Sequence, residues 1–286
     1  MKIINGSALA KKIKSILAID IAYHVEKYQR APKLDLVLVG DDPHSATHVG
    51  NKKKAANAIG MDCDIHTLPC HTSENELLQM IQQLNQDDAV DAILVQLPLP
   101  KHIDSNKIIN TIDYRKDVDG LHPMNVGLLA TSNDGIVPCT PRGILSLLQE
   151  EQIKISGKHC VIIGRSNLVG NPTAQLMLKN NASVTICHSK TRDLPHLTRQ
   201  AEILIVAIGC PNLIHADMLK EGAVVIDVGI NSIEGKLVGD VYNSIDVTSI
   251  EKMASAITPV PGGVGPMTIA SLLQNTFDIY KRNILK

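Results

Sequence analysis

The sequence predicts an α/β protein with two domains. Short apolar runs typical of buried strands alternate with helical patterns along both halves of the chain. The length of 286 residues corresponds to about two domains at roughly 150 residues each. Hydrophobic residues make up 44% of the chain and charged residues 20%, so a disordered chain and a small disulfide-stapled module are both excluded.

The first half opens with a helical pattern, which Ser7 is expected to cap. The apolar face of this helix consists of Leu9, Ile13, Ile16, Leu17 and Ile21. Strands are predicted at residues 34–39, 61–68 and 92–97, with helices between them at residues 44–59 and 73–84. This alternation predicts a parallel sheet that is covered by helices.

The second half resumes the alternation after a helix that follows Pro141. Its strands are predicted at residues 160–163, 183–186, 203–207 and 224–228, and a final helix at residues 267–285. The connections between these strands are long enough to hold helices, which is typical of a Rossmann-like dinucleotide-binding domain.

Composition excludes several classes of partner. The net charge of -1 gives no global field that would attract nucleic acid, and an aromatic content of 2% argues against base-stacking platforms. The longest apolar runs, such as residues 203–208, fall short of the roughly eighteen residues that a membrane span needs. The six cysteines show no zinc-ligand spacing and no export signal precedes them, so we expect reduced thiols, a cytoplasmic location and no metal.

The strand at residues 160–163 leads into a glycine-containing turn, Gly164-Arg165-Ser166-Asn167-Leu168-Val169-Gly170, and Pro172 suits the first turn of a following helix. A strand, a tight turn and helix amides together suit a pyrophosphate. Ser166 replaces the middle glycine of G-x-G-x-x-G, and the last glycine comes one residue late. The turn alone is therefore equally compatible with a plain strand-to-helix connection.

The next strand ends in Cys187-His188-Ser189-Lys190, where an NAD-binding domain would offer a carboxylate to the ribose. Hydroxyl and cationic groups here, with Arg165 from the turn, would attract a 2′-phosphate. We therefore expect NADP as the cofactor in preference to NAD. The alternative is that Arg165 and Lys190 are merely solvated surface charges.

Other chemistry-bearing residues follow strands of the first half. His48 and Lys52 are four residues apart in a helical pattern, hence on one face. Gln96 ends a strand just before Pro98, and Asp119 lies in a predicted loop. Each has a plain alternative: a solvated lysine face, a turn or a capping loop. Their common position at strand ends predicts a ligand crevice.

These motifs, with the string TPVPGGVGPMT at residues 258–268, resemble the bifunctional methylenetetrahydrofolate dehydrogenase/methenyltetrahydrofolate cyclohydrolase family over nearly the whole length. The resemblance implies two α/β domains with a cleft between them. A folate-binding catalytic domain at residues 1–138, completed by the helix at residues 267–286, is followed by an NADP-binding Rossmann-like domain at residues 139–266. A homodimer formed through the cofactor domains and tetrahydrofolate substrates are also implied.

The resemblance also implies roles for single residues. It implies that Lys52 serves catalysis, that Gln96 adjusts it and that Asp119 holds the pterin. His48 is also assigned to the catalytic residues, at a position where the family usually has a tyrosine. It places NADP contacts at Gly164, Arg165, Ser166, Ser189 and Ile230. It places substrate contacts at Pro98, Asp119, Gly262 and Gly263, the two glycines belonging to a loop that closes over the cleft.

The physical chemistry of the two reactions agrees with these roles. Hydride loss from a methylene between two nitrogens gives a resonance-stabilised amidinium, so that step needs alignment more than a strong base. Hydrolysis of the cation needs a water that loses a proton, and a lysine made partly neutral by desolvation can accept it. Lys52 is the candidate, with Gln96 as its hydrogen-bonding partner.

His48 departs from the family pattern, which usually has a tyrosine four residues before the lysine. A protonated imidazole would repel the charged Lys52 and favour its neutral amine, whereas a neutral one would merely pack against the pterin. Two alternative functions stay open at this point. One is a monofunctional dehydrogenase with an impaired cyclohydrolase step, and the other is a non-catalytic NADP-binding scaffold.

Overall fold

Strands and helices alternate along most of the chain in the computed structural model, which describes residues 1–241 and 247–285. The strands are β1 (Lys2–Ile3), β2 (Lys33–Val39), β3 (Asp62–Leu68), β4 (Ala92–Val95), β5 (His159–Ile163), β6 (Ser183–Cys187), β7 (Ile203–Val206), β8 (Ala223–Asp227), β9 (Asn231–Ile233), β10 (Lys236–Val238) and β11 (Ala254–Ile257). The helices are α1 (Gly6–Tyr28), α2 (Pro43–Asn57), α3 (Glu74–Gln86), α4 (Ser105–Thr111), α5 (Pro123–Ala130), α6 (Cys139–Glu150), α7 (Gly170–Lys179), α8 (Leu194–Thr198), α9 (Val247–Met253) and α10 (Val264–Ile284), with a 3₁₀ helix at Ala216–Met218.

The chain divides into two units. The catalytic unit, as we call it, holds Lys12–Cys139 and Ile269–Lys286, and the cofactor unit holds Met1–Lys11 and Thr140–Thr268. Residues 1–11 thus join the second half of the chain, because β1 pairs in parallel with β11. The strand and helix patterns of the first half do not predict this pairing of β1 with β11.

A three-stranded parallel sheet in the order β3-β2-β4 forms the centre of the catalytic unit. The central strand β2 is buried almost throughout, as expected of an apolar strand covered on both faces. Side chains of α1 and α10 pack on one face, where Leu36, Leu273 and Phe277 share a core. Side chains of α3 pack on the other face, where Val37 meets Leu77. β3 and β4 lie on opposite sides of β2, so the strand order reverses at the carboxyl end of β2. Ligands of α/β sheets bind at such a reversal.

The end of α10 is fixed to the catalytic unit by polar contacts as well as by packing. The hydroxyl of Tyr280 donates to the carbonyl of Arg30 at 2.7 Å. Asn283 donates to the buried carboxylate of Asp91, which also accepts two hydrogen bonds from the Arg30 guanidinium. Because a buried carboxylate needs several donors, this arrangement stabilises the docking of the helix.

A six-stranded parallel sheet in the order β1-β11-β8-β7-β5-β6 forms the centre of the cofactor unit. β6 and β7 lie on opposite sides of β5, so the order of strands reverses at the carboxyl end of β5. Such a reversal is the standard place for a dinucleotide. The prediction of two α/β domains, the second Rossmann-like, is confirmed. No helix among the described residues combines the length and the apolarity that crossing a membrane requires.

Two details of the first helix differ from the sequence predictions. Asn5, not Ser7, caps α1, since the Asn5 side chain accepts from the backbone N–H of Ala8 at 2.9 Å. Both residue types are good caps, so the sequence does not separate them. Ile16 was expected on the buried face but is 51% exposed. The adjacent Leu17, 6% exposed, takes the core position in this turn of the helix.

Candidate functional site

The catalytic unit brings together Lys52 and Gln96, which the sequence predicts to work as a pair. Lys52 Nζ donates to Gln96 Oε1 at 2.8 Å, and both side chains are half-buried. Lys52 lies in α2, the helix that follows β2, and Gln96 directly follows β4. The two residues therefore meet at the carboxyl end of the sheet, where the strand order predicts a ligand crevice.

The start of α2 fixes the direction of this helix. Asp42 accepts a hydrogen bond from the N–H of Ser45 at 2.7 Å, and Pro43 occupies the first helical turn. Val49 is buried, whereas His48 is exposed one turn before Lys52. The helix thus holds His48 and Lys52 on one face, as their spacing predicts.

The side chain of Gln96 is held so that its oxygen is available to Lys52. Gln96 Nε2 donates to the carbonyl of Leu97 at 2.6 Å, which leaves Oε1 to accept from the lysine. A carboxylate in this position would bind the ammonium as an ion pair, whereas the amide oxygen of Gln96 is neutral and can accept a hydrogen bond from an ammonium or from an amine. Pro98, the predicted substrate contact, is exposed in the same connection.

Asp119 lies in a loop that runs beside β4. Asp117 forms a parallel bridge with Ile93 in β4, and Asp119 follows two residues later in the same direction. Its side chain is half-buried. The loop thus carries Asp119 toward the carboxyl end of β4, the end at which Gln96 is found.

The buried carboxylate of Asp117 holds the residues that follow Asp119 in place. Asp117 is 2% exposed, and its Oδ2 accepts from the N–H of His122 at 2.8 Å and from Asn125 Nδ2 at 2.9 Å. Burial raises the pKa of Asp117 from 3.8 to about 6, although these two donors oppose the rise. The carboxyl group therefore binds its proton more tightly in the folded than in the unfolded chain.

This raised pKa makes folding stability depend on pH. The contribution of Asp117 is fully present below pH 3.8 and is lost as the pH rises through about 6. Asp117→Asn keeps an oxygen for both donors but has no charge to desolvate. We expect the variant to gain stability over the wild type by up to about 3 kcal/mol between these pH values. Thermal unfolding at a series of pH values from 4 to 7 measures this difference, and a constant difference contradicts it.

The cofactor unit contains the predicted glycine-containing turn at the carboxyl end of β5. Gly164 has φ of +120°, and a Cβ there would lie 2.3 Å from the carbonyl oxygen of Ala207. A Cβ on Gly170 would lie 2.2 Å from the carbonyl oxygen of Gly164. Ser166 Oγ accepts from the N–H groups of Val169 and Gly170, at 3.2 and 3.4 Å. Only glycine fits at these two positions, so the turn is closed tightly against the start of α7.

The connection after β6 lies beside this turn. The N–H of Gly164 donates to the carbonyl of Cys187 at 2.9 Å. Arg165, Ser189 and Lys190 are all exposed in these two connections. His188 Nδ1 accepts from the N–H of Lys190 at 3.1 Å, which orders the second connection. Two cations and two hydroxyl groups with no carboxylate among them fit a phosphorylated dinucleotide, so the residues present suit NADP.

A cavity of about 470 Å³ adjoins the carboxyl end of β8 in the same unit. Its lining includes the predicted residues Ile230, Gly262 and Gly263, and also Ser7 from the first turn of α1. Ile230 is 59% exposed, as a residue that packs against a ligand would be. The N–H of Ser7 donates to the carbonyl of Gly262 at 2.9 Å, so the start of α1 holds the glycine loop. The sequence predicts Ser7 as a helix cap and not as part of this cavity.

Two buried carboxylates, both missed by the sequence analysis as site residues, order the loops around this cavity. Asp227 accepts from the N–H groups of Gly229, Asp240 and Val241 at 2.7–3.0 Å. Asp240 in turn accepts from the N–H groups of Ile208 and Gly209. Backbone N–H groups take the place of water around each carboxylate. Each carboxylate therefore holds together the loops that supply these N–H groups. In the sequence, Asp227 is an aspartate at the end of a predicted strand and Asp240 is an aspartate after a glycine. Neither pattern by itself predicts a supporting role.

Metal ligation gains no support from the described side chains. Within residues 1–241 and 247–285, no group of three or more His, Cys, Asp and Glu is arranged to hold a metal ion.

Comparison with known families covers both halves of the chain. Residues 4–119 match the family model of the tetrahydrofolate dehydrogenase/cyclohydrolase catalytic domain. Residues 138–284 match the model of the NAD(P)-binding domain of the same family. The two matched segments contain the Lys52–Gln96 pair and the turn at Gly164, respectively.

Individual proteins give the same result. The chain is 53% identical over 285 residues to the bifunctional protein FolD of Campylobacter hominis, covering 99% of each chain. The solved structure of the bifunctional enzyme FolD, methylenetetrahydrofolate dehydrogenase/cyclohydrolase, from Campylobacter jejuni matches with a TM-score of 0.95 at 48% identity over 99% of each chain. A Trypanosoma brucei methylenetetrahydrofolate dehydrogenase-cyclohydrolase, solved with NADP cofactor and inhibitor, matches with a TM-score of 0.93 at 38% identity over 99% of this chain and 98% of that one. With both domains matched and more than half of its residues identical to a full-length relative, the chain belongs to the tetrahydrofolate dehydrogenase/cyclohydrolase family.

Proposed function

We propose that Lys52, held by Gln96, accepts the proton of the hydrolytic water in a bifunctional enzyme of one-carbon metabolism. The enzyme oxidises 5,10-methylenetetrahydrofolate with NADP and hydrolyses the resulting methenyl compound to 10-formyltetrahydrofolate. The single observation that carries the assignment of Lys52 is the 2.8 Å contact from its Nζ to Gln96 Oε1 at the carboxyl end of the sheet. The only other lysines on this helix, Lys53 and Lys54, follow Lys52 by one and two residues and therefore point in other directions around the axis.

The hydrolytic step needs one proton acceptor. Water adds to the cationic methenyl carbon and gives one proton to the acceptor. The bond from this carbon to N5 then breaks, its electron pair goes to N5, and the proton of the remaining hydroxyl passes to N5 as the carbonyl of the formyl group forms. A neutral Lys52 amine takes the proton from the water as the carbon–oxygen bond forms. Gln96 keeps the amine in place in both of its protonation states, since its amide oxygen accepts from either.

The oxidative step depends on orientation. When bound, NADP accepts the hydride that leaves the methylene carbon. The cation left behind is stabilised by its two nitrogens, so the protein needs to align the reactants and to exclude water. Asp119 suits the alignment of the folate, because a carboxylate accepts hydrogen bonds from the amino and ring N–H groups of a pterin. Pro98, in the same region, supplies an apolar contact surface.

The cofactor unit supplies the groups that hold NADP. The tight turn at Gly164, which closes against the positive end of α7, suits the pyrophosphate. Arg165, Ser166 and Ser189 suit the 2′-phosphate side. The cavity lined by Ile230, Gly262 and Gly263 suits the nicotinamide.

We further infer a homodimer formed through the cofactor units and a cytoplasmic location. The resemblance to the family supports the dimer. No disulfide links the six cysteines, all of which lie in the described part of the chain, and this supports a reducing compartment. Light scattering that gives twice the 30.9 kDa mass of one chain would support the dimer, and a mass of one chain would contradict it.

One assay tests the proposed function as a whole. Purified protein is mixed with 5,10-methylenetetrahydrofolate and NADP, and the absorbance of NADPH and of the methenyl compound are followed together. We expect NADPH to form while the methenyl compound stays low, because both steps proceed. Accumulation of the methenyl compound would indicate a monofunctional dehydrogenase, and cofactor binding without NADPH would indicate a scaffold.

His48 is expected to give the hydrolytic step an unusual pH dependence. An imidazole changes charge between about pH 5 and 8, and its positive form one helical turn from Lys52 favours the neutral amine. We expect His48→Tyr to flatten the pH profile of hydrolysis across this range while leaving oxidation unchanged. Initial rates of both steps at half-unit pH intervals measure the effect. Superimposable profiles for the two proteins would show that His48 acts only as a packing residue.

A further inference from the structure

The loop that carries Asp119 is held by a residue of the last helix. Asn275 in α10 donates from Nδ2 to the carbonyl of Val118 at 2.8 Å and to the carbonyl of Val137 at 2.9 Å. Both hydrogens of the side-chain amide are thus used within the catalytic unit. Asn275 is 2% exposed, and Val118 immediately precedes Asp119. The peptide that leads into Asp119 is therefore tied to α10.

The backbone is also held on the other sides of Asp119. Asp117 accepts from His122 and Asn125, as described above, and the N–H of Gly120 donates to the carbonyl of Asp117 at 3.2 Å. Cys139 Sγ lies 3.5 Å from the carbonyl of Val118 and is a weak donor. Asn275 supplies the one strong side-chain donor to Val118 recorded among the described residues. The half-buried side chain of Asp119 is the part of this loop left for a ligand.

We propose that Asn275 is a positioning residue for the folate substrate, acting through Asp119. By holding the carbonyl of Val118 it fixes the place of the Asp119 carboxylate, and a displacement of about 1 Å is enough to impair an orientation-dependent step. This inference rests on the proposed role of Asp119. It differs from a purely structural role, in which Asn275 would stabilise α10 without any influence on folate binding.

The test is Asn275→Leu, which keeps a similar volume and removes both donors. We expect the KM for 5,10-methylenetetrahydrofolate to rise roughly ten- to a hundredfold, with the dissociation constant for NADP unchanged. Thr276→Val is the matched control: Thr276 is equally buried, and its hydroxyl donates only within the helix, to Leu272. The control removes one buried hydrogen bond from the same helix and is expected to leave the KM unchanged. An Asn275→Leu protein that is less stable but keeps its KM overturns the proposal.

A double-mutant cycle separates this inference from the role of Asp119. If Asn275 acts through Asp119, then Asn275→Leu has little further effect on KM in an Asp119→Ala background. Multiplying effects would show that Asn275 acts by another route and would overturn the inference while leaving Asp119 in its role. An Asp119→Ala protein with the KM of the wild type would overturn the proposed role of Asp119 and this inference with it.

Discussion

Lys52→Ala is expected to slow hydrolysis of the methenyl compound by roughly 10²- to 10⁴-fold, the usual contribution of a positioned proton acceptor. Alanine removes the amine that Gln96 holds, so the attacking water must lose its proton to solvent. Oxidation needs no such acceptor and is expected to fall much less. The methenyl compound should therefore accumulate while NADPH still forms, and one spectrophotometric trace at two wavelengths measures both.

Lys54→Ala is the control for this result. Lys54 lies on the same helix, two residues after Lys52, and its side chain is exposed. We expect both rates to stay at the wild-type value in this variant. NADP binding, measured by titration, should be equal in all three proteins because the turn at Gly164 is in the other unit. Unchanged hydrolysis in Lys52→Ala would exclude Lys52 as the proton acceptor.

The pairing of Lys52 with Gln96, which are 44 positions apart, could be predicted only from two sources together. Residues that follow parallel strands meet at one sheet edge, and the resemblance to the family implies that these two residues act together. The cofactor turn could be predicted from local rules alone, since a strand, a glycine turn and a helix are consecutive. There the chemistry is carried by residues whose neighbours in sequence are also their neighbours in space.

Contacts between distant parts of the chain could not be predicted in this way. Asn275 and Val118 are 157 positions apart, and an asparagine within a helical pattern reads as a polar surface residue. β1 has two residues, too few to show an alternating pattern, so its pairing with β11 left no local signal. Asp240 resembles any loop aspartate until the fold brings Ile208 and Gly209 to its oxygens.

Residues that local sequence patterns predict and residues that they miss have different roles in the site. Locally predictable residues such as Lys52 and Arg165 are at least partly exposed and can touch a ligand. Asp117, Asp240 and Asn275 are buried and satisfy backbone groups of the loops that carry the first kind. Since an unsatisfied buried polar group costs about 1–3 kcal/mol, substitutions that remove the hydrogen-bonding groups of these supporting residues are expected to destabilise the fold. A substitution among them is expected to affect stability and substrate position together.

Arg165→Ala is expected to raise the dissociation constant for NADP by roughly 10- to 100-fold and to leave that for NAD nearly unchanged. A hydrogen bond to a charged group is worth about 1.5–3 kcal/mol, and only NADP carries the 2′-phosphate that Arg165 would meet. Arg165 is exposed at the turn whose Gly164 donates to Cys187, two residues before Ser189. Fluorescence titration with each cofactor gives both constants, so the same protein supplies its own reference.

Two further variants decide whether the charge or the shape of Arg165 is responsible for its effect on NADP affinity. Arg165→Lys keeps the charge but loses the planar donor pair, so we expect an intermediate loss of NADP affinity. Arg282→Ala removes an exposed arginine of the catalytic unit and is expected to change neither constant, because the groups predicted to contact NADP all belong to the cofactor unit. If Arg165→Ala weakens NAD and NADP equally, the arginine contacts a part that both cofactors share. The preference for NADP would then have to come from Ser189 and Lys190 alone.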